Sequence, residues 1–150
     1  MMESKGIETA SLRLTSPFGE FYNSINVLSI FIDLAIQNKT INVYGTGNRK
    51  QNFIYVGNIV ECIKNSLNNR ISGNYDLIAK ESISMKSLAE LIIKLTNSKS
   101  NIKVGLLEDQ LENSVLPDFS LSRLAKELDY KEIYSLIDGL NRYIKWRKTK

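Results

Sequence analysis

The sequence predicts an α/β fold on three observations. Short β-branched runs alternate with longer stretches whose apolar residues recur at helical spacing. The chain has 150 residues, 43% of them hydrophobic, which is the size and balance of one domain with a packed core. It holds two prolines, Pro17 and Pro117, and no Gly/Ser-rich linker or internal repeat divides it. We therefore expect one continuous domain over residues 1–150.

The first predicted elements are a strand and a helix. Thr9–Leu14 is β-compatible and stops at Ser16–Gly19, which predicts a strand that enters a loop. A helix is predicted over about 24–38, with Asn23 or Ser24 as its N-cap. The buried face of this helix is marked at helical spacing by Leu28, Phe31, Ile32 and Ala35.

Two strands are predicted next, with a turn between them. Ile41–Tyr44 alternates as a strand does, and Gln51–Val56 is β-branched and aromatic. Gly45–Asn48 supplies turn residues. The pattern therefore predicts a strand–turn–strand hairpin.

The second half continues the alternation. Asn74–Ile78 and Ile102–Val104 predict short strands, and Ser84 is placed to cap a helix. Four helices are expected in this half, each marked by an apolar stripe that we interpret as core. The stripes are Ile59, Val60, Ile63 and Leu67; Leu88, Leu91, Ile92 and Leu95; Leu121, Leu124 and Leu128; and Ile133, Leu136, Ile137, Leu140 and Ile144.

The residue types exclude several chemistries. Histidine is absent and Cys62 is the single cysteine, which removes Ser-His and Cys-His catalysis, an internal disulfide and a cysteine zinc cluster. Cys62 lies in an apolar run and is interpreted as a small buried residue. The net charge is +4, and part of the excess lies near the C-terminus. No aromatic-and-basic strand motif accompanies it, so we expect no nucleic-acid partner.

Location is predicted from two further features. The apolar run Val27–Ile36 is broken by Ser29 and Asp33 and is too short to cross a bilayer. The start of the chain lacks the basic residues, apolar run and cleavage site of a secretory signal. We therefore expect no membrane partner and a cytoplasmic location.

Four segments, in order, carry a resemblance to a known family. Leu12–Gly19 is similar to the family strand and loop L-R-x-x-N-x-Y-G, and Ile41–Ile59 resembles V-Y-G-x-G-x-x-x-R-D-F-x-Y-V-x-D-(I/V). Gly73–Leu77, followed by Ser84–Ile92, is similar to G-x-Y-N-(I/L) and S-x-x-E-L-A. Pro117–Trp146 resembles the closing pattern D-x-S-K…L-G-(W/F)…L-x-x-G-L…W. Together they resemble the C-terminal part of the NAD-dependent epimerase/dehydratase family, the extended short-chain dehydrogenases/reductases that act on nucleotide sugars.

The resemblance implies the C-terminal portion of an extended Rossmann-type short-chain dehydrogenase fold. In that fold the strands near 9–14 and 74–79 would belong to the Rossmann sheet, and the rest would form a small α+β substrate-binding cap. Family members bind NAD or NADP at a Gly-rich turn and use a Tyr-x-x-x-Lys pair as general acid/base. Gly45-x-Gly47 is followed by a strand, not by the helix that a cofactor loop requires. The resemblance thus implies no catalytic or cofactor-binding residue here, and we expect the chain alone to be inactive.

Partners are implied as well. Strands that have lost their neighbours expose backbone donors and acceptors, which favours association. We therefore expect the chain alone to be marginally stable, to self-associate through exposed strand edges, or to pair with a separately encoded N-terminal Rossmann half.

The resemblance also implies a substrate site for a UDP- or dTDP-sugar. In the family, the loop after the first strand, the start of the next helix and the Gly-x-Gly segment surround the nucleotide diphosphate. A diphosphate needs a cation and neutral donors, and a base needs apolar or aromatic surface. The matching positions are Ser16, Asn26, Tyr44, Arg49 and Gln51.

Structural roles compete with this assignment. Asn26 is also suited to the first turn of its helix, Tyr44 to a strand core, and Arg49 to a solvated turn. The family pattern is also incomplete, because its arginine and two aspartates are replaced by Gln51, Asn52 and Asn58. Since Arg49 lies two residues from Gln51, both face one side of a strand, and we hypothesise that Arg49 supplies the missing charge.

A second family arginine has no counterpart either. The stretch Leu106–Phe119, where many UDP-sugar enzymes carry it, contains Glu108, Asp109 and Glu112 but no basic residue. Three functions therefore stay open. They are the substrate-binding part of an NAD(P)-dependent nucleotide-sugar epimerase/dehydratase, a non-catalytic module from a truncated or split gene that binds a nucleotide sugar or a partner, and a basic nucleic-acid-binding domain. The sugar and the choice among epimerisation, dehydration and reduction are left open too.

Overall fold

The α/β class is confirmed by the computed structural model, which describes residues 9–22, 25–69, 72–114, 126–127 and 129–150. The strands in these ranges are β1 (Ala10–Leu14), β2 (Ser16–Phe18), β3 (Ile41–Val43), β4 (Lys50–Tyr55), β5 (Gly73–Leu77), β6 (Ser82–Ser84) and β7 (Ile102–Val104). The helices are α1 (Val27–Ile36), α2 (Val56–Asn69), α3 (Met85–Thr96) and α4 (Leu136–Arg147). The helix predicted around Leu121, Leu124 and Leu128 lies outside the described residues.

The strands form three small sheets. β1 and β5 are parallel, with Leu12 opposite Tyr75. β4 lies between β2, which is parallel to it, and β6, which is antiparallel. β3 and β7 form a third, parallel pair. The segment Ser16–Phe18, predicted as loop, is therefore a short strand because it finds a partner in β4.

The predicted hairpin is wrong, because β3 and β4 lie in different sheets. The backbone between them bonds to the start of α3 instead: Lys86 N donates to Gly47 O and Met85 N to Arg49 O, both at 3.0 Å. Gly45 and Gly47 make this course possible with φ of 56° and 76°, a region that favours glycine. The predicted turn residues do turn the chain, but they direct it into a different sheet.

Helix ends follow local capping chemistry. The N-cap of α1 is Asn26, not Asn23 or Ser24, which lie outside the described residues. Its Oδ1 accepts from Ser29 N at 2.9 Å, and Ser29 Oγ accepts from Asn26 N at 3.0 Å. This reciprocal pair satisfies amides at the helix start that have no partner within the helix. Ser84 caps α3 as predicted, accepting from Ser87 N.

Two apolar clusters form the core. The larger one joins α1, α3 and α4 to β3 and β4, and includes Phe18, Ile32 and Leu88. The smaller one lies between α2 and the β1–β5 pair, and Cys62 is buried in it as expected. Strand β1 contributes little, since most of its residues are exposed and only Leu12 packs against this cluster.

The α2 stripe is not all core, contrary to expectation. Ile59 and Cys62 are buried, but Val60, Ile63 and Leu67 are exposed by 49%, 44% and 74%. Helical spacing reveals that a face is apolar without revealing what covers it. Within the described residues, α2 therefore presents an apolar face to solvent.

The α4 stripe also needs correction. Ile133 precedes the helix and Ile137 lies on its exposed side. The buried face is formed by Gly139, Leu140, Tyr143 and Ile144. Gly139 and Tyr143 thus complete the buried face. A stripe defined only by aliphatic residues does not include them. No helix of the described residues is long and apolar enough to span a bilayer.

Candidate functional site

Three of the predicted site residues are joined by hydrogen bonds. The parallel pairing of β2 with β4 brings Ser16 to the side of Gln51, whose Nε2 donates to Ser16 Oγ at 2.5 Å. Arg49 Nη1 donates to Gln51 Oε1 at 3.2 Å. The expectation that Arg49 and Gln51 face the same side is confirmed. This row of polar groups comprises a cation, an amide and a hydroxyl.

Arg49 has a further partner that the sequence did not reveal. Its Nε donates to Asp109 Oδ2 at 2.6 Å, and the two side chains are only 16% and 9% exposed. Burial acts to raise the pKa of Asp109, but hydrogen bonds from Arg49 and the Leu111 amide, with the Arg49 charge, lower it overall. Asp109 therefore stays ionised and neutralises the cation of this row.

A groove of about 230 Å³ opens beside the ion pair. It starts at the first turns of α1 and passes β3 to reach Arg49 at its polar end. Tyr44 follows β3 and is half exposed on its rim. The lining residues are Val27, Ile30, Phe31, Asn42, Val43, Tyr44, Arg49, Met85 and Asp109. An apolar wall with an aromatic edge and one charged end suits a ligand that combines a flat ring with a polar group.

Asn26 has a structural role in this site. Its side-chain oxygen is used to cap α1, whose first residue, Val27, lines the groove. Asn26 therefore fixes the helix end that forms one wall. A contact of Asn26 with ligand stays a prediction.

A larger cavity of about 530 Å³ lies elsewhere, between the β5–β6 connection and the start of α4. None of the five predicted residues lines it. Its ionisable groups are Lys80, Glu81, Glu132 and Asp138, so its charge is predominantly negative. Such a cavity repels phosphate, and we therefore take the smaller groove as the candidate site.

The two asparagines that depart from the family pattern are buried and fully engaged. Asn52 Nδ2 donates to Ala79 O at 2.8 Å, while its Oδ1 accepts from Ala79 N at 2.9 Å and from Thr15 Oγ1 at 2.8 Å. An aspartate at this position would lack the donor. Asn52 thus ties β4 to the chain that follows β5, and supports the strand that carries Gln51.

The donors around the Gly45–Gly47 turn bear on metal and dinucleotide binding. No group of three or more potential metal ligands occurs among the described residues. A dinucleotide pyrophosphate needs free amides at a helix N-terminus after a Gly-rich turn. Here the first amides of α3, from Met85 and Lys86, already donate to Arg49 O and Gly47 O. The Gly45–Gly47 turn therefore does not fit NAD or NADP.

Comparisons with known proteins agree with this fold. A model of the NAD dependent epimerase/dehydratase family matches residues 1–77. The chain is 29% identical over 147 residues to UDP-glucuronic acid decarboxylase 1 of Danio rerio, covering 97% of this chain and 35% of that protein. It is 27% identical over 144 residues to dTDP-4-dehydro-6-deoxyglucose reductase of Escherichia coli, covering 92% of this chain and 44% of that protein.

A solved structure shows the same fold. The Bordetella bronchiseptica enzyme WbmF, in complex with NAD+ and UDP, superposes with a TM-score of 0.83 at 20% identity, over 98% of this chain and 48% of that one. The chain thus spans between about a third and about half of the length of the proteins it matches. Since the family model covers more than half of the 150 residues, the chain belongs to the NAD dependent epimerase/dehydratase family.

Proposed function

We propose that this chain is the nucleotide-sugar-binding part of an NAD(P)-dependent epimerase/dehydratase. The observation that carries the proposal is the hydrogen-bonded row Ser16–Gln51–Arg49, whose Arg49 lines the apolar groove, whereas Ser16 and Gln51 lie behind Arg49 and outside the lining. A nucleoside diphosphate offers the complementary pair of a flat base and a chain of anionic oxygens. Family membership supports the same ligand class.

In this arrangement the base lies along the apolar wall formed by Val27, Ile30 and Tyr44. The diphosphate lies towards Arg49, which offers charge, and towards Gln51 and Ser16, which offer neutral donors. The sugar then projects beyond this end of the groove. The groove volume of about 230 Å³ holds part of a nucleotide sugar and leaves the rest uncovered.

The catalytic groups come, in this proposal, from a Rossmann half outside these 150 residues. None of the seven tyrosines is followed four residues later by a lysine. The nicotinamide cofactor bound by that half supplies the hydride acceptor. The Rossmann half pairs along β1 and covers the apolar face of α2. It does so either as part of a longer polypeptide or as a separate chain. The exposure of Val60, Ile63 and Leu67 supports such a partner.

Titration of ¹⁵N-labelled chain with UDP-glucose and dTDP-glucose tests the ligand class. We expect chemical-shift changes at Ser16, Arg49 and Gln51, and weaker binding in Arg49→Ala. Arg13→Ala is the matched control, because Arg13 is an exposed arginine paired with an aspartate, Asp76, at 2.7 Å and lies away from the groove. The proposed site would be rejected if both variants lost the same amount of binding affinity. It would also be rejected if the chemical-shift changes were confined to the larger cavity near Glu132.

A further inference from the structure

The segment 105–114 is tied to the rim of the groove by polar contacts. Leu107 O accepts from Gly45 N at 2.8 Å. The Glu112 carboxylate accepts from Thr46 N at 2.8 Å and from Thr46 Oγ1. Asp109 adds its ion pair with Arg49. Each of these contacts ends on the short stretch 45–49, so the segment and the turn form one polar seam.

Apolar packing contributes little to this seam. Leu106, Leu107 and Leu111 are all more than half exposed. Lifting the segment therefore exposes little additional apolar surface, and the cost is chiefly that of the polar contacts. A side chain at Gly45 would collide with the Glu112 carboxylate, so the closed seam also requires glycine there.

The ion pair controls access to the cation. Arg49 directs Nε to Asp109 and Nη1 to Gln51, and it is largely buried between them. A phosphate oxygen that approaches Arg49 meets the Asp109 carboxylate at the same guanidinium edge. The negative charges of the phosphate and of Asp109 would be close to each other there, and they would repel strongly because little water screens them. An anion therefore gains the full attraction of Arg49 only if Asp109 moves away.

We propose that Asp109 is a charge gate, which keeps anionic groups from Arg49 until the segment 105–114 lifts away. Asp109 thus determines how much the diphosphate contributes to the binding affinity. The base is recognised independently of Asp109. This inference rests on the proposed nucleotide-sugar site and adds a specificity-determining residue to it.

Binding of UDP and of uridine to the chain, measured by titration calorimetry or NMR, tests the gate. In the wild type we expect UDP to bind only about tenfold tighter than uridine, because moving Asp109 away from Arg49 offsets part of the attraction between Arg49 and the diphosphate. Asp109→Asn keeps the shape and removes the charge, and should tighten UDP by about tenfold, equivalent to roughly 1.4 kcal/mol, without changing uridine. Glu112→Gln weakens the seam at Thr46 and should tighten UDP in the same direction by a smaller factor.

Two controls separate the gate from general electrostatics. Asp76→Asn removes the same charge from another arginine–aspartate pair, Arg13–Asp76, on the surface of the β1–β5 sheet, and should leave both affinities unchanged. Arg49→Gln added to Asp109→Asn should abolish the gain for UDP, because the gate acts through Arg49.

The outcomes distinguish the two proposals. If UDP binds and Asp109→Asn leaves it unchanged or weakens it, the gate is wrong and the nucleotide site stands. If neither UDP nor uridine binds to any variant, the nucleotide site fails and the gate with it. Should Asp109→Asn not fold, the wild type decides: UDP binding more than about a hundredfold tighter than uridine overturns the gate.

Discussion

Asn58 holds the backbone of Tyr134 with both ends of its side-chain amide. Its Nδ2 donates to Tyr134 O at 2.8 Å, and its Oδ1 accepts from Tyr134 N at 3.0 Å. Ile133 N donates to the same oxygen at 3.1 Å. The side chain is buried at the start of α2, so it fastens that helix to the segment before α4.

Asn58→Asp should therefore destabilise the chain, although aspartate is the residue of the family pattern here. The carboxylate cannot donate to Tyr134 O and carries a charge into a buried site, which costs about 2–4 kcal/mol. Urea unfolding measures the loss. Asn101→Asp, at an exposed position, is the control and should change the unfolding free energy little. An equally small effect at position 58 would contradict the role of the amide donor.

Gly139→Ala sets helix propensity against packing within α4. Alanine favours a helix over glycine by about 1 kcal/mol. A Cβ at Gly139 would lie 2.8 Å from Phe18 Cζ and 2.8 Å from Tyr55 Cδ2, inside a packed aromatic group. Overpacking costs about 1–3 kcal/mol, so we expect a net loss of about 1 kcal/mol and a lower Tm. Asn141→Ala, exposed on the same helix, should raise Tm slightly or leave it unchanged.

The apolar face of α2 should drive association of the isolated chain. Ile63→Lys with Leu67→Lys places charges on that face and should shift the chain towards monomer in sedimentation experiments. The melting temperature should fall little, because both residues are exposed. Ile59→Ala on the buried side should instead cost about 2–4 kcal/mol. A double lysine variant that still associates would mean that another surface, such as the β1 edge, is responsible.

Two carboxyl groups should affect acid stability with opposite signs. The pKa of Asp109 is lowered overall, with its bonds and charge contact to Arg49 exceeding the effect of burial. Its stabilisation is therefore present above the ordinary aspartate pKa and is lost as the pH falls below about 4. Burial raises the pKa of Glu132, in spite of a hydrogen bond from the Lys80 amide. Its contribution is complete below the ordinary glutamate pKa and is lost as the pH rises above about 4.

Unfolding free energies measured across the acid range test these signs. Asp109→Asn should flatten the loss of stability towards low pH. Glu132→Gln retains an acceptor for Lys80 N and removes the cost of a buried charge near neutrality. Its stability should therefore decline more steeply with acid than that of the wild type. If the unfolding free energy of both variants changed with pH as it does in the wild type, neither carboxyl group would govern the acid response.

Local chemistry was readable from the sequence, and pairing over long distances was not. Ser84 was recognised as a cap because a hydroxyl before a helical stripe bonds only to nearby amides. The hairpin failed because β3 finds its partner in β7, about sixty residues away, and no local pattern specifies that choice. The α2 stripe was identified as apolar, but its exposure depends on what covers it.

The candidate site divides in the same way. Arg49 and Gln51 were placed together by strand spacing alone, and Ser16 by the family resemblance. Asp109 was noted only as an acid in a stretch that lacks arginine. A single arginine in the predicted substrate site, together with a stretch that has several acids and no base, is the sequence signal for their ion pair. Such a signal does not specify the pair, because sixty residues separate the partners.

The unpaired side of β1 offers a direct reporter of assembly. Within the described residues this strand bonds to β5 alone, so its outward backbone amides face water. In hydrogen-exchange experiments those amides should exchange quickly in the isolated chain, while their β5-facing neighbours exchange slowly. Addition of a Rossmann half should protect every second amide along β1 and leave the rest as they were. The exchange rates of alternate amides along this one strand would thus report the binding of a partner at single-residue resolution.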